Sequence, residues 1–293
     1  MIHAEILPSP LAGLAGTDGR GVVLATFDRS LYLDLDGRIV AAASADLSRG
    51  PITITLNRPG PLPAVTAAAP VQLTAGLLRI GDLAVDLREA TLWDPTLPTG
   101  VAFVRAGDAS TASRAIVVDE LLAAAPDESI VGLLGPRRGS PRRTDPGPLL
   151  SALSRGLDAI GAWLSGRLDA SAATAIVARE VAGRGPGLTP SGDDLLLGIM
   201  LGAGVLPGVC GLREARQVRE LLASATMPHT TRISSAYLDA ARHGWAGEPW
   251  HALIGALAGP ADSLRSAVRQ LLRIGETSGA DALTGFCWVW RAR

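Results

Sequence analysis

The chain has 293 residues, 47% of them hydrophobic, and a formal net charge of −1. That is enough chain for one large domain or two ordinary ones, without the positive field that draws in nucleic acid or an anionic membrane. Aromatic residues, at 4%, are too few for a single-strand stacking platform. All 27 basic residues are arginine, so the chain itself cannot form a Schiff base, hold pyridoxal phosphate or supply a Walker-A lysine.

The first stretch, MIHAEILPSPLAGLAG, has no charged opening and is broken by Pro8 and Pro10, so it does not read as a signal peptide. From there the pattern predicts β structure. GVVLATF (21–27) is a short apolar run. LYLDLDGRIVAAA (31–43) alternates Leu31, Leu33 and Leu35 against Tyr32 and Asp34, then turns at Asp36-Gly37, a dipeptide suited to a tight hairpin. PITITL (51–56) alternates again behind a proline that suits a strand start. LLRIGDLAVDL (77–87) carries a second hairpin signal at Gly81-Asp82. Strand signals at this spacing predict a small antiparallel sandwich or barrel.

The composition shifts near residue 110, and the remainder reads as mainly helical. Leu149, Leu150, Leu153, Leu157, Ile160 and Leu164 recur at three and four residues, as do Leu264, Val268, Leu271 and Leu272. TRISSAYLDAARHG (231–244) puts Ile233, Tyr237 and Ala240 on one face and ends at Gly244, a natural helix stop. The fold class is therefore α+β, with a β-rich domain over 1–110 and a mainly helical domain over 111–293. Between the helices, GPRRGSPRRTDPGP (135–148) is a solvated loop or an anion clamp built on Arg137, Arg138, Arg142 and Arg143.

Cys210 and Cys287 lie far apart and read as buried free thiols. The four histidines make no metal-ligand spacing, so no metal site is predicted from them. The longest apolar run, 195–209, is too short to span a membrane and contains Pro207. A soluble cytoplasmic protein is expected.

GRGPGLTPSGDD (183–194) runs four glycines and two prolines into adjacent carboxylates. Ser191-Gly192-Asp193-Asp194 has the form of a capping box, with Ser191 accepting from the first turn and Asp194 reaching back to the Ser191 amide. A plain helix start needs only one cap, so the long glycine-rich approach calls for a second explanation. Bare backbone amides near a helix start suit an anion. The carboxylates oppose this: a phosphate ~4 Å from one would be repelled by about 4 kcal/mol at an effective dielectric of 20. A ligand bearing N–H or O–H donors, or Mg²⁺, suits the Asp residues better.

The motif has an echo. SGADALTG (278–285) repeats SGDDLLLG (191–198): Ser191/Ser278, Gly192/Gly279, Asp194/Asp281, Leu196/Leu283 and Gly198/Gly285 align without gaps. Either capping chemistry recurs, or two equivalent loop–helix units face one site. Gly198 and Gly285 would then let another backbone or a ligand come close. A third polar segment, HTTRISS (229–235), offers His229, Thr231, Arg232, Ser234 and Ser235, and GEPWH (247–251) offers Glu248 and His251. No GxSxG nucleophile elbow is present.

GRGPGLTPSGDDLLLG, TTRISSAYLDAARHG and ETSGADALTG, in that order, resemble the AllH family, over about residues 180–290. The resemblance implies a subunit of an oxamate carbamoyltransferase of allantoin breakdown, working with FdrA-like and AllG-like subunits. Its reaction joins carbamoyl-oxamate and phosphate to oxamate and carbamoyl phosphate. On this reading, Gly185, Gly187, Thr189, Ser191, Gly192, Ser278 and Gly279 bind a small carboxylate or amide. Arg184, Thr231 and Arg232 help to hold it. Asp194 or Asp281, with Asp193 beside them, accept an N–H or carry a proton. No cofactor is predicted beyond Mg²⁺ at the Asp residues, and a homo-oligomer is compatible. The alternative is a non-catalytic structural or regulatory subunit that docks to its partners through a face containing Gly198, Gly202 and Gly204.

Overall fold

The computed structural model describes residues 2–99, 107–135, 147–206 and 212–291. The Arg137–Arg143 loop and Cys210 lie outside these residues. Contacts divide the chain into two compact units, one running to Thr96 with Trp245–Glu248 added, the other comprising Leu97–Gly244 and the chain from Pro249 onward.

The first unit holds the strands β1 (Ile2–Pro8), β2 (Gly19–Thr26), β3 (Ser30–Leu35), β4 (Arg38–Ala43), β5 (Thr53–Leu56), β6 (Pro70–Thr74), β7 (Leu77–Ile80), β8 (Leu83–Asp86) and β9 (Thr91–Trp93). They follow the order β5-β4-β3-β2-β6-β7-β8-β1, and β1 then pairs with β5 to close the sheet into a barrel. β9 lies beside β1. The hairpins form where the turn chemistry placed them. Asp36 and Gly37 take φ values of 49° and 84° between β3 and β4, and Gly81 takes 57° between β7 and β8. The alternation read at Leu31, Leu33 and Leu35 is the burial pattern of β3, whose leucines point into the barrel core.

The barrel is mixed rather than purely antiparallel. β4 pairs parallel to β5, and β1 parallel to β8 and β9. The opening segment Ile2–Pro8 is the element that closes the barrel, and its direction sets two of these parallel pairings. Ile2, Ala4 and Ile6 alternate along it, over a longer stretch than β5.

The second unit contains α1 (Gly107–Ala124), α2 (Gly147–Leu164), α3 (Ala170–Glu180), α4 (Ser191–Val205), α5 (Leu212–Thr226), α6 (Arg232–His243), α7 (Glu248–Ala256), α8 (Ala261–Leu271) and α9 (Ser278–Arg291). α4 is apolar all round and buried on nearly every side, which makes it a core helix. α9 crosses it, and α5 and α6 also pack on it. Phe286 of α9 is fully buried, with its ring centroid 5.5 Å from that of Trp250 and 5.9 Å from that of Trp290. Thr231 caps α6 by accepting from the Ser234 amide at 3.0 Å, and Gly244 ends it in the left-handed conformation. No helix among the described residues is long and apolar enough to cross a membrane.

Candidate functional site

The glycine-rich loop is shaped by its own close contacts. Gly183 has φ +66°, and a Cβ there would lie 2.6 Å from the His229 carbonyl oxygen. Gly185 has φ +114°, and a Cβ would lie 2.7 Å from the Ser191 nitrogen. Both positions exclude an ordinary side chain on two counts. The loop stands out as an exposed arch over residues 184–188, and then dives through half-buried Thr189 and buried Pro190 into α4.

The capping box does not form. Pro190 occupies the N-cap position of α4, and no side chain caps the helix. The amides of Asp193 and Asp194 donate to the Pro190 carbonyl at 2.8 and 3.1 Å. The amide of Gly192, a residue expected from sequence to bind the ligand, instead donates to the Arg184 carbonyl at 2.8 Å. The helix end is thus satisfied by backbone from the folded-back loop, which releases the Ser191 and Asp194 side chains for other partners.

Those partners belong to the echo motif. The Ser191 hydroxyl approaches the Asp281 carboxylate, and the Ser278 hydroxyl approaches that of Asp194. Each serine serves the aspartate of the other repeat. Thr189 Oγ1 and Ser278 Oγ lie 2.8 Å apart and tie the loop to the start of α9. Asp281 also accepts at Oδ1 from the Ile130 amide at 2.8 Å, in the 3-10 turn Ile130–Leu134.

Glycine–backbone contacts bring the two helix starts together. A Cβ on Gly198 would lie 1.7 Å from the Ala282 carbonyl oxygen, and one on Gly285 2.0 Å from the Leu195 carbonyl oxygen. The contacts are reciprocal, because Leu195 and Ala282 hold equivalent places in the two repeats. α4 and α9 therefore cross about a local pseudo-twofold axis with their N-termini on the same side. Gly202 continues the seam against Phe286 and Val289, while Gly204 faces Arg219. This corrects the docking-face reading: Gly198, Gly202 and Gly204 are used inside the unit. Gly192 and Gly279 are likewise packed, against the carbonyls of Val181 and Leu271.

Asp193 sits beside this pair with donors on both oxygens. The Gly183 amide reaches Oδ1 at 2.9 Å, and the Thr230 hydroxyl donates to Oδ2. Ser234 also approaches it. Thr231 donates to the Leu188 carbonyl at 2.5 Å, so the polar segment 229–235 braces the loop. Arg184 is exposed and reaches the Arg179 carbonyl at 3.0 Å. Arg232 is exposed at the start of α6. Gly187 is exposed in the arch. Glu248 belongs to the first unit, where it accepts from the Arg49 amide at 3.3 Å.

Three residues escaped the sequence reading. The Ile130 amide carries no local signal, because its role is set by tertiary contact alone. Thr230 lay inside the quoted polar segment, and Thr277, which approaches Asp281, inside ETSGADALTG. The hydroxyl next to each motif was the available clue.

Electrostatically the cluster is one-sided. Burial pushes the carboxyls of Asp193, Asp194 and Asp281 upward from the ordinary 3.8, most strongly at Asp194. At Asp194 the Ser278 hydroxyl opposes this, while the charges of Asp281 and Asp193 add to it. Hydroxyls and amides surround all three groups, and no cation among the described residues acts on them; the hydroxyls are those of Ser278, Thr189, Thr230, Ser234, Ser191 and Thr277, and the amides those of Gly183 and Ile130. Among the described residues no group of three or more His, Cys, Asp or Glu is arranged to hold a metal. A shallow depression lined by Ala252, Ala256, Ser263 and Gln270 shares no residue with this cluster.

The raised values set the sign of a pH effect. A folded carboxyl that holds its proton more tightly than the unfolded chain adds stability below 3.8, and that stability is lost as pH rises through the folded value. Chemical denaturation across a pH series should therefore show stability falling from acid toward neutral pH through these groups. Asp194→Asn should flatten that fall.

These residues lie almost wholly in one recognisable stretch. Residues 181–290 match the family model described as oxamate carbamoyltransferase subunit AllH. The segment is AllH-like. It runs from the start of the glycine loop to the last turns of α9, so every side chain of the carboxylate cluster falls within the AllH-like match. Ile130, which contributes only its amide, lies outside it. No solved structure matches the chain.

Proposed function

We propose that this chain is the AllH-type subunit of a multi-subunit carbamoyl-transferring enzyme, assembled with FdrA-like and AllG-like chains. The site is the exposed arch 184–188 together with the carboxylates beneath it. The substrate is a small carboxylate or amide of the oxamate and carbamoyl-oxamate type, or carbamoyl phosphate. The observation that carries this reading is the exchange of Ser191 and Ser278 between Asp281 and Asp194, under a glycine loop inside the AllH-like stretch. Two isolated helix caps would have no use for that exchange. In this reading Gly185 and Gly187 present backbone to the ligand's oxygens, Thr189 and Ser278 orient it, and Arg184 or Arg232 pairs with its carboxylate. Asp194 and Asp281 manage the proton on the leaving oxamate nitrogen.

Thermal denaturation of the isolated chain with oxamate, carbamoyl-oxamate, carbamoyl phosphate and Mg²⁺ tests the site. Ligand at about a hundred times its dissociation constant should add about 2.7 kcal/mol to stability and raise the melting temperature. No response from any of them, with tight co-purification of a partner chain, would instead support the non-catalytic subunit.

A further inference from the structure

Asp194 and Asp281 each keep one carboxylate oxygen, Oδ2, that is buried and has no hydrogen-bond partner among the described residues. The residues are 7% and 0% exposed, so water does not fill that role freely. An ionised oxygen left bare in such a place is costly. Asp193, beside them, has a donor on each oxygen and no such deficit. The pseudo-twofold crossing gives the two carboxyls corresponding places, each acted on by the serine of the opposite repeat.

We propose that Asp194 and Asp281 act as one acid, holding a single proton between the two carboxyls, and that Ser278 and Thr189 connect it to the surface. The chain runs from the Asp194 carboxylate to Ser278 Oγ, then 2.8 Å to Thr189 Oγ1 at the half-exposed edge of the loop. Either hydroxyl can donate in that contact, as a two-way relay requires. Among the described residues the charged groups acting on the pair are Asp193 and the two members themselves, with hydroxyls from both helix starts and the Ile130 amide from the 3-10 turn. Like charges in one dry site favour a shared proton.

The chemical use of the pair rests on the function proposed above. As a phosphate oxygen bonds to the carbamoyl carbon, the bond from that carbon to the oxamate nitrogen breaks. The pair's proton passes to the leaving nitrogen, and the proton of the attacking phosphate returns to the pair. Atoms and charge balance, and the pair ends as it began.

Infrared spectroscopy of the isolated chain at neutral pH tests the pair without substrate or partner. The expected result is a protonated-carboxyl C=O band that is lost in Asp194→Asn and also in Asp281→Asn, and kept in Asp193→Asn. In Ser278→Ala the band should persist but shift more slowly in D₂O. Unfolding the parent chain in weak buffer at neutral pH should release about one proton, which serves where an Asn variant does not fold. The pair is overturned if the parent shows no band, if only one of Asp194→Asn and Asp281→Asn removes it, if Asp193→Asn removes it, or if unfolding releases no proton. Unchanged deuterium exchange in Ser278→Ala overturns the relay. A band with no thermal response to any ligand would sink the functional reading alone, and ligand binding without a band would sink only the pair.

Discussion

Gly198→Ala should destabilise the helical unit by about 3 kcal/mol or more, near the top of the range for overpacked cores. The added methyl would sit 1.7 Å from the Ala282 carbonyl oxygen, and both sides of that contact are helix backbone that cannot rotate away. The helices must part, and parting them also loosens the reciprocal contact of Gly285 with the Leu195 carbonyl. Gly285→Ala should cost a similar amount. The double variant should cost less than the sum, because either methyl alone already opens the crossing. Gly255→Ala in α7 is the control: a Cβ there meets nothing within 4 Å. At that site alanine should stabilise by about 0.4–1 kcal/mol. Urea denaturation followed by circular dichroism measures all four. A Gly198→Ala chain as stable as the parent would mean that α4 and α9 do not meet at backbone contact.

Asp194→Asn should lower carbamoyl transfer by about a hundredfold or more in the reconstituted complex, the scale of losing one positioned proton-transfer group. The same change should leave stability at neutral pH within about 1 kcal/mol of the parent, or above it. The reason is that it removes a carboxylate whose burial opposes its charge. Loss of activity with the fold intact separates a working group from a structural one. Steady-state transfer rates set beside denaturation curves make the comparison. Full activity in the variant would remove Asp194 from the reaction.

The two results bear on different parts of one arrangement. The glycines let the helix starts approach, and the carboxylates use the approach. Gly198→Ala should therefore reduce activity as well, but through lost folded protein, whereas Asp194→Asn should reduce it at constant folded population.

Much of this protein is fixed by its residues taken locally. Alternation at Leu31, Leu33 and Leu35 and the turn chemistry of Asp36-Gly37 set a strand pair, because pleat and positive φ are properties of a few adjacent residues. Three- and four-residue periodicity set α2, α6 and α8, with Gly244 ending α6. The recurrence of Ser-Gly-x-Asp was also plain, and the AllH resemblance with it. Local order did not settle what the recurrence does. A capping box and an exchanged serine–aspartate pair are written with the same letters, and they differ only in which carboxylate each hydroxyl meets. The choice fell to contacts far apart in the chain: the Gly192 amide on the Arg184 carbonyl, Gly198 on Ala282, Gly285 on Leu195, and the Ile130 amide on Asp281. The parallel strands of the barrel have the same origin, since β1 takes its direction from the gap between β8 and β5 and not from its own residues. Propensity and turn chemistry act over a few residues, whereas the crossing of α4 and α9 is decided by which backbones can touch, and that became definite only when the whole unit packed.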